Sequence, residues 1–193
     1  VGSRDKKCVF VLDAASGQQI EKIPLPGMRH LSAGKELFAA TDAGVVRVRE
    51  YGRDNPEAHE RVLIHGSIMH GQQFLAPHFR KRPTSYYSPN SGVGRLFRAL
   101  ADRPLEVGAV GLGAGTIVAY GKQGDHYRFY EIDEAIVSAA HQHFSFIADS
   151  PATVDVAVGD GRLLLQAEGQ RRFDVLVVDA FSGDSIPVHL LTR

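Results

Sequence analysis

Tryptophan is absent, cysteine occurs once, methionine twice, and 22 basic residues are matched by 22 acidic ones. Each scarcity excludes a class. The lone Cys8 leaves no internal disulfide framework and no multi-cysteine zinc site, and it suits a reducing compartment. Within its strand pattern it reads as a small buried apolar residue. A net charge of zero argues against a general nucleic-acid binder, whose phosphate contacts demand a basic surplus. No stretch approaches the roughly 18 apolar residues of a membrane span, and the polar residues 1–7 carry no signal-peptide core. With 193 residues, 44% hydrophobic and 23% charged, the chain can bury one core of ordinary size. The expectation is a cytoplasmic domain, with or without an appendage, that touches neither nucleic acid nor membrane.

The pattern divides near residue 75. Short apolar runs predict strands over residues 8–12, 19–25, 36–41, 44–51, 61–64 and 67–75, separated by turn chemistry such as Asp13-Ala-Ala-Ser-Gly17 and Gly66. The first two pairs look like one propeller blade, but no third copy recurs at a fixed period. Residues 1–75 therefore read as a small antiparallel β region. Residues 76–104 read as a loop and helix linker, with Pro77, Pro83 and Pro89 and a helix beginning over 93–101. Its Arg80, Lys81 and Arg82 read as a solvated charge run rather than an anion site.

From residue 105 to 193 strands and helices alternate. Apolar runs predict strands over 106–111, 127–132, 153–158 and 173–178, with crossover helices over 116–120, 135–144 and 162–167. Asp133 is placed to cap the second helix, and Glu134 suits its first turn. Parallel strands joined by right-handed crossovers make an α/β, doubly wound Rossmann sheet.

Open parallel sheets bind ligands beyond the carboxyl ends of their strands. Those ends carry Gly111-Leu-Gly-Ala-Gly-Thr116, Glu131-Ile-Asp133, Gly159-Asp-Gly161 and Asp179-Ala-Phe-Ser-Gly-Asp184. The phosphate loop of nucleotide hydrolases fails, because no Lys follows Gly115. The dinucleotide fingerprint fails at its sixth place, which holds Thr116. The G-x-G-x-G turn (Gly111, Gly113, Gly115) in an acidic crevice suits a sulfonium nucleoside, chiefly S-adenosylmethionine, better than a pyrophosphate. Glu131 is placed for ribose hydroxyls and Asp160 for an adenine amino group. Each feature also has a purely structural account: a glycine turn shapes the backbone, and Asp160 caps the helix behind it. His59, His65 and His70 read as turn histidines rather than metal ligands, and His141 and His143 as partners of a helix end. Ser182 lacks a nucleophile elbow.

These residues resemble the spermidine synthase (polyamine aminopropyltransferase) family. The likeness rests on Glu131-Ile-Asp133, Gly159-Asp-Gly161 and Phe173-Asp-Val-Leu-Val-Val-Asp-Ala180 behind the glycine turn. His65-Gly-Ser-Ile-Met-His-Gly-Gln-Gln73, Pro83-Thr-Ser-Tyr-Tyr87 and Ser91-Gly-Val-Gly94 resemble its bacterial branch, often fused to membrane segments. The resemblance implies a methyltransferase-like sheet behind a β domain, and aminopropyl transfer from decarboxylated S-adenosylmethionine to a diamine such as putrescine, without a metal. It implies that Glu131 lies at the ribose, Asp160 at the adenine, and Gln72 and Asp133 at the nucleoside. Tyr87 and Asp179 would act on the acceptor amine, with Tyr86 and Asp184 holding the substrate amine. A homodimer is a further implication. Departures are visible. Ala114 stands where the family carries an Asp that anchors the aminopropyl chain, and Tyr87-Ser-Pro-Asn90 stands for a Tyr-His-Glu run. The family sheet continues past Arg193, so the C-terminal strands are expected to be truncated. Two alternatives remain open: an S-adenosylmethionine-dependent methyltransferase, and a non-catalytic module that binds nucleoside or polyamine.

Overall fold

The computed structural model describes residues 8–12, 19–24, 36–41, 44–52, 54–66, 68–169, 171–181 and 187–191, with side chains from residue 46 onward apart from 189 and 191. The burial expected for Cys8, the turn at 13–17, and both Ser182 and Asp184 lie outside the described residues.

Strands β1 (Cys8–Leu12) and β2 (Gln19–Pro24) pair as an antiparallel hairpin. Strands β3 (Glu36–Thr41), β4 (Gly44–Tyr51), β5 (Glu60–His65) and β6 (Ile68–Phe74) follow as an antiparallel sheet in chain order. Gly66, at φ 61°, turns β5 into β6. A register shift between Leu63 and Ile64 marks a bulge opposite His70, so β6 bends at that point.

The linker holds a single 3-10 turn at Ser85–Tyr87 and α1 (Gly92–Ala99). Ser91 caps α1, its hydroxyl accepting from the Gly94 N–H at 3.1 Å.

The second layer is an open parallel sheet of β7 (Glu106–Val110), β8 (His126–Glu131), β9 (Thr153–Val158) and β10 (Val175–Val178), in the order β10-β7-β8-β9. The chain steps outward from β7 to β9, then crosses back over to β10 on the far side of β7. That reversal puts the topological switch point between β7 and β10. The helices are α2 (Glu134–His143), α3 (Phe146–Asp149), α4 (Gly161–Glu168) and α5 (Val188–Leu191). The expected α/β class, with a parallel sheet behind an antiparallel one, is what the chain adopts.

Three local expectations need correction. Residues 116–120 form a 3-10 helix, not an α-helix. Gly115 enters at φ 76° and Gly121 leaves extended, which leaves too few residues for a run of α-type hydrogen bonds. The last strand begins at Val175 rather than 173, because Asp174 ends the pairing: its N–H donates to the Glu106 carbonyl and its carboxylate accepts from the Glu106 N–H, both at 2.8 Å. The four-residue α3 was not anticipated, and it buries Phe146.

The core lies where β7 and β8 meet the linker helix and α2. Val107, Tyr127 and Phe129 are fully buried, and Phe97 of α1 stacks on Tyr127, which stacks on Phe129, at 6.1 and 6.4 Å. Central parallel strands are covered on both faces, which is why β7 reads as a near-continuous apolar run after Glu106, while Arg128 of β8 is paired with Glu168. Among the described residues no helix is long and apolar enough to cross a membrane.

Candidate active site

The glycine turn follows β7. Gly111, Gly113 and Gly115 all hold positive φ (97°, 53° and 76°), a backbone path that glycine takes without steric cost. Two of them are also pressed by other segments. A Cβ on Gly111 would collide with the Asp179 carbonyl, and one on Gly113 with the His70 carbonyl. The turn therefore packs tightly between the end of β10 and strand β6. The Ala114 N–H donates to the His70 carbonyl at 3.0 Å. Gly71 lies against the Ala114 methyl and the Thr116 hydroxyl, where a Cβ would come within 2.6 and 3.2 Å. Ala114 is 1% exposed, so nothing at that place reaches solvent.

Glu131 ends β8 and is buried. Its Oε2 accepts from the Leu112 N–H at 2.8 Å and its Oε1 from the Asp133 N–H at 3.0 Å. One carboxylate thus ties the glycine turn to the loop after β8. Burial pushes its carboxyl pKa up, against the backbone donors of Leu112, Asp133 and Ile132 that pull it down. Asp133 caps α2 through the Ala135 N–H at 2.9 Å, and Asp160 caps α4 through the Leu163 N–H at 3.0 Å. The capping role expected of Asp133 is what the structure places there; for Asp160 the cap and the strand-end position coexist.

Asp179 follows β10 directly, across the switch point from the glycine turn. Its Oδ2 accepts from the Tyr87 hydroxyl at 2.6 Å, and Tyr86 hydrogen-bonds the same carboxylate. Burial raises the Asp179 carboxyl pKa, while the two phenols restrain it. Burial and the Asp179 charge raise both phenols, so both stay protonated donors. Tyr87 is buried, whereas Tyr86 is 48% exposed.

Gln72 sits beside this cluster and is occupied within the protein. Its Nε2 donates to Glu60 and its Oε1 accepts from the Ser85 hydroxyl, both at 3.2 Å. The next residue, Gln73, is the one that reaches the parallel-sheet layer. It is 2% exposed, donates to the Arg80 carbonyl and the Ser145 hydroxyl, and accepts from the Ser145 N–H at 2.9 Å. Strand alternation puts the two on opposite faces, and the pairing of β6 decides which of them turns toward Ser145. Ile132 was also passed over: it is 70% exposed beside Glu131, an apolar surface against which a flat base can lie.

The remaining candidates disperse. His65 and His70 stand 5.6 Å apart, but His59 pairs with Glu50 elsewhere on the β region. Burial and the neighbouring His65 lower the His70 pKa, with Asp133 opposing them. Among the described residues no three His, Cys, Asp or Glu side chains group as metal ligands. Arg80 is paired with Asp149. A cavity of about 260 Å³ lies between Phe97, Leu105, Tyr120 and Lys122, and none of the strand-end residues above lines it.

No family model matches the chain. It is 30% identical over 103 residues to a polyamine aminopropyltransferase of Vibrio vulnificus (strain CMCP6), a match covering 52% of this chain and 34% of that protein. In fold it is similar to the crystal structure of a probable spermidine synthase from Corynebacterium glutamicum ATCC 13032, with a TM-score of 0.54 and 15% identity, covering 74% of this chain and 51% of that one. The chain thus spans about a third of the curated relative's length and about half of the solved structure's. Neither relative's name speaks of membrane segments, so that part of the resemblance has no support from them. In sequence over those 103 residues the chain is similar to a polyamine aminopropyltransferase, and in fold over 74% of its length it is similar to a probable spermidine synthase.

Proposed function

We propose that the chain transfers an aminopropyl group from decarboxylated S-adenosylmethionine to one amine of a diamine such as putrescine. The observation that carries this reading is the half-buried Asp179 carboxylate, held by two tyrosines across the switch point from the glycine turn. The residues suit the nucleoside: a turn held tight at Gly111 and Gly113, a buried acid tying it to the next strand end, and an exposed Ile132 beside that acid. The sulfonium supplies a carbon already activated toward attack.

The protein's task is then to prepare the amine. An alkyl ammonium has a pKa near 10, so the acceptor enters mostly protonated. Asp179, made more basic by burial, takes that proton and orients the freed nitrogen. Nitrogen forms a bond to the carbon beside sulfur as the carbon–sulfur bond breaks, leaving its electron pair on a neutral thioether. Holding the two reactants in line supplies much of the remaining rate. Tyr86 and Tyr87 keep Asp179 aimed without taking its proton, because their own pKa values are raised.

One observation favours a second reading. Ala114 is sealed under Gly71 and offers no carboxylate for an aminopropyl ammonium, which fits methyl transfer from the intact nucleoside. Calorimetry separates the two. Tighter binding of 5′-methylthioadenosine than of S-adenosylhomocysteine supports aminopropyl transfer, and the opposite order supports the methyltransferase. No binding of either at millimolar concentration rejects both.

A further inference from the structure

We propose that Tyr120 is a positioning residue for Asp179, acting through the backbone of Tyr87. The inference rests on reading Asp179 as the working base, but the geometry behind it does not depend on the substrate.

The tyrosine pair stands on a strained segment. Ser85 opens its 3-10 turn at φ 52°, where a non-glycine residue is held only by its surroundings. Strand β6 holds one end: the Thr84 hydroxyl donates to the Gln72 carbonyl, and the Ser85 hydroxyl donates to the Gln72 side chain. Tyr120 holds the other, its hydroxyl donating to the Tyr87 carbonyl. Tyr87 then donates from its own side chain to Asp179. Two hydrogen bonds in series therefore connect Tyr120 to the carboxylate.

Tyr120 is itself fixed. Its ring stacks on Phe97 at 5.2 Å with the planes 3° apart. It ends the 3-10 helix that begins at Thr116, directly behind the glycine turn, so it belongs to the same rigid segment as the nucleoside end of the crevice. Gly94 makes the space: a Cβ there would lie 2.6 Å from the Tyr120 hydroxyl and 2.5 Å from the Ser88 carbonyl. The run Ser91-Gly-Val-Gly94 thus has two physical tasks, a helix cap at Ser91 and clearance for Tyr120 at Gly94. Burial raises the Tyr120 pKa, with Arg98 opposing, so the hydroxyl remains a donor.

The test is Tyr120→Phe, which keeps the stacked ring and deletes the hydroxyl. The readout is the titration midpoint of Asp179, followed by carboxyl carbon NMR in the full chain and assigned with Asp179→Asn. Among the described residues Tyr86 and Tyr87 are the titratable groups facing Asp179, and both hold its pKa down. Loosening Tyr87 must therefore move the midpoint upward, while affinity for 5′-methylthioadenosine stays within about twofold. Where transfer is measurable, kcat falls about threefold to tenfold, the scale of one neutral hydrogen bond. The acidic limb of its pH profile moves upward with the midpoint. An unchanged midpoint in folded Tyr120→Phe overturns the inference, and so does an equal loss of nucleoside binding, which marks general loosening. If Tyr120→Phe does not fold, Phe97→Leu removes the stack, keeps the hydroxyl and is read by the same criteria. A shifted midpoint in a chain without transferase activity upholds the positioning role and rejects the proposed reaction, so the two fail separately.

Discussion

Tyr87 and Asp179 lie 92 residues apart in sequence and meet at 2.6 Å, hydroxyl to carboxylate. Tyr87 comes from the linker and Asp179 from the end of β10, so this bond joins the segment after the β region to the parallel sheet. It also sets a carboxylate among neutral phenols. Asp179 sits with two phenols where burial opposes its ionisation.

That opposition predicts a stability cost with a definite pH dependence. A carboxyl whose folded pKa is raised contributes stability fully below the unfolded value of about 3.9, and loses it as pH rises through the folded value. At pH 7 the ionised group is therefore a burden. Asp179→Asn keeps an acceptor for Tyr87 and raises Tm at pH 7, by roughly 2–4 °C for each kcal/mol relieved in a chain of this size. The gain shrinks as pH falls toward 4. Thermal denaturation at both pH values checks it, and an equal or lower Tm at pH 7 contradicts it.

Glu131 behaves oppositely when removed. Glu131→Ala leaves the buried Leu112 and Asp133 N–H groups without their acceptors. The expected loss is about 1–3 kcal/mol for an orphaned buried donor. Hydrogen exchange localises it: those two amides lose protection first, and affinity for 5′-methylthioadenosine drops with them.

Two glycines of the β5–β6 hairpin are predicted to differ sharply. Gly66→Asn is tolerated, since φ 61° suits Asn and a Cβ there meets nothing within 4 Å. Gly71→Ala is not, because φ is 138° and the new Cβ comes within 2.6 Å of the Ala114 methyl. Forcing strand and turn apart costs on the order of 1–3 kcal/mol. Urea unfolding of the two variants compares them directly.

Much of the architecture was legible because it rests on local chemistry. The strands over 36–41, 44–51 and 153–158 fall where alternating or continuous apolar runs predict them. Asp133 announces α2 by its capping position. The site was legible less evenly. Gly111, Glu131 and Asp179 sit at strand ends, so the topology placed them once the parallel order was read. Tyr120 carries no sequence signal, because its partner is a backbone carbonyl 33 residues away, brought near by packing on Phe97. Gln73 was hidden by its neighbour. Only the pairing of β6 shows which of two adjacent glutamines turns toward Ser145.

The most direct test of the account supplies the chain with decarboxylated S-adenosylmethionine and putrescine, and follows release of 5′-methylthioadenosine. The predicted result is release that depends on the diamine, falls at least a hundredfold in Asp179→Asn on the general-base scale of roughly 10²–10⁴, and leaves 5′-methylthioadenosine binding intact in that variant. Release that is undiminished in Asp179→Asn, or no release by a chain that binds the nucleoside, contradicts it.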